Sequence, residues 1–151
     1  MAAIAIDTNL TVLFCIGTWS RSKVGEHKRV ANYSIGDFDR LRTIVAGYDR
    51  IVSMPTILSQ VSDLLNISGR RSQSSELARI FATLVTESVE ERFIASSILV
   101  ASPNFTQFGL ADTNLLLAVT DGVTLHSTDQ SLVNFALSEG KSAELFLPSN
   151  Q

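Results

Sequence analysis

The chain has 151 residues, of which 45% are hydrophobic and 18% are charged, and its formal net charge is −3 at pH 7. This length and composition are typical of one globular domain with a sizeable core, and they exclude a disordered chain. The negative charge argues against a protein that coats nucleic acid passively, although a local basic patch can still bind RNA. The single cysteine, Cys15, excludes an internal disulfide framework and a cysteine-rich zinc site.

Two features of the sequence bear on where the protein works. Asp7 interrupts the first apolar run and no basic leader precedes it, so we expect no signal peptide. No apolar segment approaches the roughly 18 to 20 residues that span a bilayer. We therefore expect a cytoplasmic protein without a membrane partner, in which Cys15 is a buried structural thiol.

The first predicted elements are a buried strand and a short helix. Residues 4–6 are small or β-branched and predict the strand, and the apolar stretch 10–16 predicts a helix that Gly17 ends. A polar, basic loop then extends to Arg29.

The middle of the chain predicts further helices and strands in alternation. Ser34 and Asp37 have the spacing of a capping box at the start of a helix. The elements that follow are the end of this helix at Gly47, a strand over 50–54, a helix beginning at Pro55, a break at 69–72 and a helix over 75–88.

The last third continues the same alternation. Its predicted elements are a strand and a short helix within 92–105, a helix over 111–120, a strand over 123–127, a helix over 130–138 and a strand over 143–147. Strands that alternate with helices favour a parallel or mostly parallel sheet, and we expect residues 1–151 to form one α/β domain.

Three aspartates occupy comparable positions in these elements. Asp7 follows the first strand, Asp129 lies just beyond the strand over 123–127, and Asp112 opens a helix. Because the carboxyl ends of parallel strands share one edge, the three acids can converge there. A hard cation such as Mg²⁺ or Mn²⁺ would remove their mutual repulsion and suit phosphodiester hydrolysis. The alternative is that each aspartate caps a helix.

The residues also carry a resemblance to a known family. Four motifs in order resemble the PIN domain: Asp-Thr-Asn after the first strand, MPTILSQVSDLLN, GLADTNLLLAV and HSTDQSL. The segment GEHKRVANYSIGDFDRL is similar to one found in a bacterial subgroup of that family. PIN domains are metal-dependent nucleases, and many are the ribonuclease toxins of bacterial toxin–antitoxin pairs. The resemblance covers nearly the whole chain and implies a three-layer α/β/α fold around a mostly parallel sheet.

The resemblance implies which residues form the site. Asp7, Asp112 and Asp129 match the family's acids and would bind Mg²⁺ or Mn²⁺ at the carboxyl edge of the sheet. The matching supporting residues are Thr8, Asn9 and Ser127.

One position departs from the family pattern. Gln60 stands where the family has a glutamate, and glutamine can orient a water but cannot supply negative charge or act as a base. Asp63 lies one helical turn further on and could supply that charge, although a solvated surface acid is the alternative.

The basic loop also has two interpretations. Its cations could hold RNA phosphates, or they could form an ordinary solvated face. Trp19 could stack on a base or pack on the domain, and Arg70 and Arg71 are expected to decorate a helix end. The candidate RNA-binding residues are Arg21, Lys23, His27, Lys28 and Arg29.

The sequence therefore predicts a Mg²⁺- or Mn²⁺-dependent endoribonuclease of the toxin type. The alternative is a PIN-fold binding or assembly module that has lost catalysis through Gln60. A DNA nuclease is a further option. The resemblance also suggests a homodimer and raises an antitoxin or another protein as a partner.

Overall fold

The computed structural model describes residues 2–68 and 72–149. At its centre lies a sheet of five strands: β1 (Ala3–Ile6), β2 (Arg50–Ser53), β3 (Val89–Glu91), β4 (Val123–Ser127) and β5 (Ser142–Leu145). All neighbouring strands are parallel, in the order β3-β2-β1-β4-β5.

Helices flank this sheet and complete an α/β/α arrangement, which confirms the predicted fold class. The α-helices of the described residues are α1 (Thr8–Trp19), α2 (Ile35–Ala46), α3 (Pro55–Leu64), α4 (Ser72–Glu87), α5 (Ser96–Ala101), α6 (Phe105–Ala118) and α7 (Gln130–Ser138). None of these helices combines the length and the apolar character that a membrane span requires.

The strand order places a crevice beside β1. All four residues of this strand are buried, as expected for a central strand covered on both faces. Chain connections run from β1 towards β2 on one side and from β4 towards β5 on the other, so the winding direction reverses between β1 and β4. Ligands of open α/β sheets bind at such a switch point, beyond the carboxyl ends of the strands. Ile6 pairs with His126, so Asp7 and Ser127 lie side by side at the carboxyl ends of β1 and β4.

Helix α1 extends past the glycine that was predicted to end it. Gly17 lies inside the helix, and the prediction was wrong because this glycine serves packing rather than termination. A Cβ atom at position 17 would lie 2.1 Å from Cδ1 of Phe38, a fully buried ring on α2. The missing side chain therefore lets α2 approach α1 closely.

The predicted capping box at the start of α2 is confirmed. The amide of Asp37 donates to Ser34 Oγ at 3.0 Å, and the Ser34 amide donates to Asp37 Oδ2 at 2.9 Å. The buried Asp37 carboxylate also accepts from the Ser149 amide at 3.0 Å and from Arg40 at 3.3 Å. Burial alone would raise the pKa of Asp37, but these hydrogen bonds hold it below 3.8. The acid thus fastens the end of the described chain onto α2.

The predictions around residues 47–55 are confirmed, whereas the strand predicted within 92–105 was placed wrongly. Gly47 follows α2 and Pro55 is the first residue of α3. Strand β3 precedes the region 92–105, because Val89 and Glu91 pair with Ile51 and Ser53 at the sheet edge. An edge strand with exposed acids has little hydrophobic alternation, so its sequence signal is weak. Of the break predicted over 69–72, Gly69, Arg70 and Arg71 lie outside the described residues, whereas Ser72 is already the first residue of α4.

Candidate functional site

A cleft of about 440 Å³ opens at the carboxyl edge of the sheet, at the switch point between β1 and β4. It collects the predicted acids from three separate elements, together with all of the predicted supporting residues. Its lining residues are Asp7, Thr8, Asn9, Gln60, Asp63, Leu64, Asp112, Ser127, Thr128, Asp129 and Leu132.

Asp7 lies at the base of the cleft and caps α1. Its Oδ1 accepts from the Leu10 amide at 2.8 Å, and its Oδ2 accepts from Ser127 Oγ at 2.6 Å and from the Thr128 amide at 3.1 Å. Burial raises the pKa of Asp7, these hydrogen bonds oppose the rise, and the charge of Asp129 adds to it. The capping alternative is therefore confirmed for this residue. It does not exclude a ligand role, because a carboxylate has about four lone-pair sites.

Asp129 caps α7 and is joined to Asp7 through one hydroxyl. Its Oδ1 accepts from the Leu132 amide at 3.2 Å. Its own amide donates to Ser127 Oγ at 3.0 Å, while the Ser127 hydroxyl donates to Asp7 Oδ2. Ser127 is fully buried, and its hydroxyl holds the two acid-bearing segments together.

Asp112 differs from the other two acids because it caps no helix. It lies on α6, three residues after a break at Gly109, and no hydrogen bond from the described residues reaches its carboxylate. Burial, followed by the charges of Asp7 and Asp129, raises the pKa of Asp112 to about 6. The capping alternative does not hold for this residue. Asp112 is a half-buried carboxylate that faces two others.

Gln60 and Thr8 form the opposite wall of the cleft. The Thr8 hydroxyl donates to Gln60 Oε1 at 2.7 Å, which fixes the orientation of the amide and leaves its N–H groups available. Asp63 lies one turn along α3 and also lines the cleft, as its spacing from Gln60 predicts. The neutral side chain and the nearby acid are therefore both within the site.

The acids do not form a ready-made ligand cage. Within residues 2–68 and 72–149, no three histidine, cysteine or acidic side chains are close enough together to hold a metal ion as they stand. Burial raises the pKa values of Asp7 and Asp112, and repulsion between carboxylates without a counterion adds to both rises.

The basic loop does not reach the cleft. Arg21 donates to both carboxylate oxygens of Asp39, at 2.9 and 2.5 Å, and Lys23 pairs with Glu26 at 3.7 Å. In the described part of the chain, no lysine or arginine lines the cleft. Two of the candidate RNA-binding cations, Arg21 and Lys23, are thus paired with acids outside the cleft.

His27 of this loop and Trp19, the last residue of α1, have internal contacts. His27 Nδ1 accepts from the Arg29 amide at 3.2 Å, and burial, followed by the charges of Arg29 and Lys28, lowers the pKa of His27. Trp19 packs against the core and donates through Nε1 to Glu76 at 2.5 Å, which supports the packing interpretation for that ring.

Tyr33 and Thr128 were not anticipated from the sequence. The Thr128 amide donates to Asp7, and the buried Tyr33 side chain lies near Thr128 and Asp7. Burial, followed by the charge of Asp7, raises the pKa of Tyr33 to about 12. The only sequence signal was the position of Thr128 inside a motif, and nothing local marks Tyr33, because its neighbours in the cleft are distant in the sequence.

Comparison with known proteins adds no relative. No protein-family model matches the sequence, and no curated protein matches it. The resemblance to the PIN family therefore rests on the sequence motifs alone.

Proposed function

We propose that this chain is a PIN-like domain that hydrolyses RNA with Mg²⁺ or Mn²⁺ bound at the cleft. The observation that carries the proposal is Asp112, a half-buried carboxylate that lies near the charges of Asp7 and Asp129 and accepts no hydrogen bond from the described residues. An unpaired acid in an acidic cleft costs stability, and a bound divalent cation is the natural way to offset that cost.

The donor chemistry of the cleft fits such a cation. Its candidate ligands are carboxylate oxygens, which Mg²⁺ and Mn²⁺ prefer over nitrogen and sulfur. Asp112 can turn towards a cation without losing a hydrogen bond. Asp7 and Asp129 use some of their lone pairs as caps and keep others for a ligand.

Each part of the cleft then has a role in phosphodiester hydrolysis. Asp7, Asp112 and Asp129 would hold the cation, which when bound supplies charge neutralisation at the phosphoryl oxygens and a more acidic water. Gln60 is oriented by Thr8 and would direct a water through its amide. Leu64 and Leu132 provide the apolar part of the wall.

The alternative is a PIN-fold module that binds a partner without catalysis. Two observations favour it: Gln60 adds no charge to the cleft, and the described acids do not form a closed ligand set. A weak cation site would follow from both. This alternative predicts that Gln60→Glu increases metal affinity and activates an otherwise inert protein.

The decisive experiment is a calorimetric titration of Mn²⁺ into the metal-free protein. The test variant is Asp112→Asn, because an amide at position 7 would face the Thr128 N–H and disturb the fold as well as the site. The matched control is Asp121→Asn, at an exposed aspartate in the turn before β4, at the opposite edge of the sheet.

We expect binding by the wild type and the control, and a loss of affinity of at least tenfold in Asp112→Asn. Binding that is equal in all three proteins, or absent from the wild type at millimolar Mn²⁺, would contradict the proposal. Matched RNA and DNA oligonucleotides, incubated with Mn²⁺ and each variant, then separate a ribonuclease from a DNA nuclease and from an inert module.

A further inference from the structure

Helix α6 contains a break whose geometry only glycine adopts readily. Gly109 has φ 78° and ψ −177°, and it separates a first turn over residues 105–108 from a regular segment over 110–118. L-residues with a Cβ atom rarely take this combination of angles. A break of this kind therefore indicates that the fold requires a particular direction of the chain at this position.

Both sides of the break are held by packing. In the first turn, the ring of Phe108 lies edge-on to Phe135 of α7, with centroids 5.3 Å apart. In the second segment, Thr113 to Leu116 are all buried. In an uninterrupted helix Phe108 and Asp112 would share one face, four residues apart, so the contact on α7 would dictate the direction of the acid. The break removes this constraint.

The break also changes the electrostatic surroundings of Asp112. Because the regular segment starts at Leu110, Asp112 lies in its first turn. The backbone N–H groups of a first turn have no partner within the helix, and this end of the helix dipole is positive. An acid there is stabilised, which opposes the repulsion from Asp7 and Asp129.

We propose that Gly109 is a positioning residue of the cleft: its left-handed backbone restarts α6 so that Asp112 faces Asp7 and Asp129 from the first turn of a helix. This inference rests on the proposed function for its consequence in metal binding, but the placement of Asp112 can be measured without metal.

The test compares Gly109→Ala with Gly140→Ala. Gly140 has φ 77° and follows α7 at the far edge of the sheet. At both glycines an added Cβ atom would meet no atom within 4 Å beyond the adjoining chain. Both substitutions force a positive φ on a residue with a Cβ atom, and only one of them lies beside an acid of the cleft. A loss of metal binding that is confined to Gly109→Ala, in a protein that remains folded, therefore points to the position of that acid.

Three measurements decide the outcome. We expect Gly109→Ala to weaken Mn²⁺ binding at least tenfold while Gly140→Ala stays within twofold of the wild type. In metal-free protein, the rise in melting temperature that Asp112→Asn produces should disappear in the Gly109→Ala background and persist in the Gly140→Ala background. A D-alanine at position 109, introduced by chemical synthesis, should retain Mn²⁺ affinity, because φ 78° and ψ −177° mirror the ordinary extended region for a D-residue.

Equal Mn²⁺ affinities in the two alanine variants, or an unchanged effect of Asp112→Asn in Gly109→Ala, would overturn the inference. If Gly109→Ala does not fold, the D-alanine protein decides: loss of the stabilisation by Asp112→Asn in that protein contradicts a positioning role. If the wild type binds no Mn²⁺, the proposed function fails, and the metal-free comparison still decides whether Gly109 directs Asp112.

Discussion

Replacing Asp112 with asparagine should stabilise the metal-free protein near neutral pH. Burial, followed by the charges of Asp7 and Asp129, raises the pKa of Asp112 from 3.8 to about 6. A difference of about 2 pH units corresponds to roughly 3 kcal/mol, and solvent screening at this half-exposed carboxyl reduces the expected effect to about 1–2 kcal/mol. Asparagine has nearly the same shape and removes the charge, and no hydrogen bond of the described residues is lost with it.

The sign of the pH dependence follows from linkage. A carboxyl whose pKa rises on folding binds its proton more tightly in the folded state, so its ionised form destabilises the fold above about pH 6. This destabilisation fades as the pH falls from about 6 to 3.8, and below that range the group is protonated in both states. Asp112→Asn should therefore stabilise the protein at neutral pH and have little effect in acid.

Thermal unfolding at two pH values provides the assay. We expect Asp112→Asn to raise the melting temperature by about 2–8 °C near pH 7, and by much less near pH 4. Asp121→Asn, which removes an exposed charge far from the cleft, serves as the control and should change little at either pH. No gain near pH 7, or an equal gain at both pH values, would refute the view that Asp112 is an unpaired acid facing two others.

Three further predictions concern the framework of the site. Gly17→Ala should lower the free energy of unfolding in urea by about 1–3 kcal/mol, because a methyl group would overlap the buried ring of Phe38; an unchanged midpoint would show that the ring can move aside. Asp37→Ala should cost about 2 kcal/mol near pH 7, because the carboxylate no longer accepts from the amides of Ser34 and Ser149, and this difference should diminish as the pH falls below the lowered pKa of Asp37. Burial lowers the pKa of His126, so wild-type stability should decline as the pH falls below 6.5. His126→Gln should flatten that decline, and the comparison is made between two proteins that both carry Asp112→Asn.

The sequence predicted most elements because their signals are local. The capping box of Ser34 and Asp37 places a donor and an acceptor three residues apart, and Pro55 has the backbone angle of a first helical turn. The helix over 130–138 was predicted with the observed bounds, since its apolar spacing and its cap at Asp129 lie within one short segment. Where the signal was weak, as at the exposed edge strand β3, the prediction failed.

Part of the site was also predicted, because local patterns place some of its residues. Alternating strands and helices imply a parallel sheet, and a parallel sheet brings the residues that follow β1 and β4 to one edge, so the approach of Asp7 and Asp129 followed from the pattern. The placement of Gln60 and Asp63 in the cleft followed from their spacing on one helix. The ion-pair partners of the basic loop could not be predicted from the sequence, because Arg21 bonds to Asp39, which lies on a separate helix.

Sequence by itself determined the element types, the parallel sheet and the edge at which the acids collect, because hydrophobic period and cap chemistry act over a few residues. Only the tertiary structure decided the state of each acid. The Ser127 hydroxyl bonds to Asp7 across 120 positions and so ties the acid that caps α1 to the end of β4. Asp112 has no such partner among the described residues, and its direction depends on a backbone break at Gly109, on both sides of which the helix is packed. Long-range packing therefore sets which carboxylate is free to bind a cation.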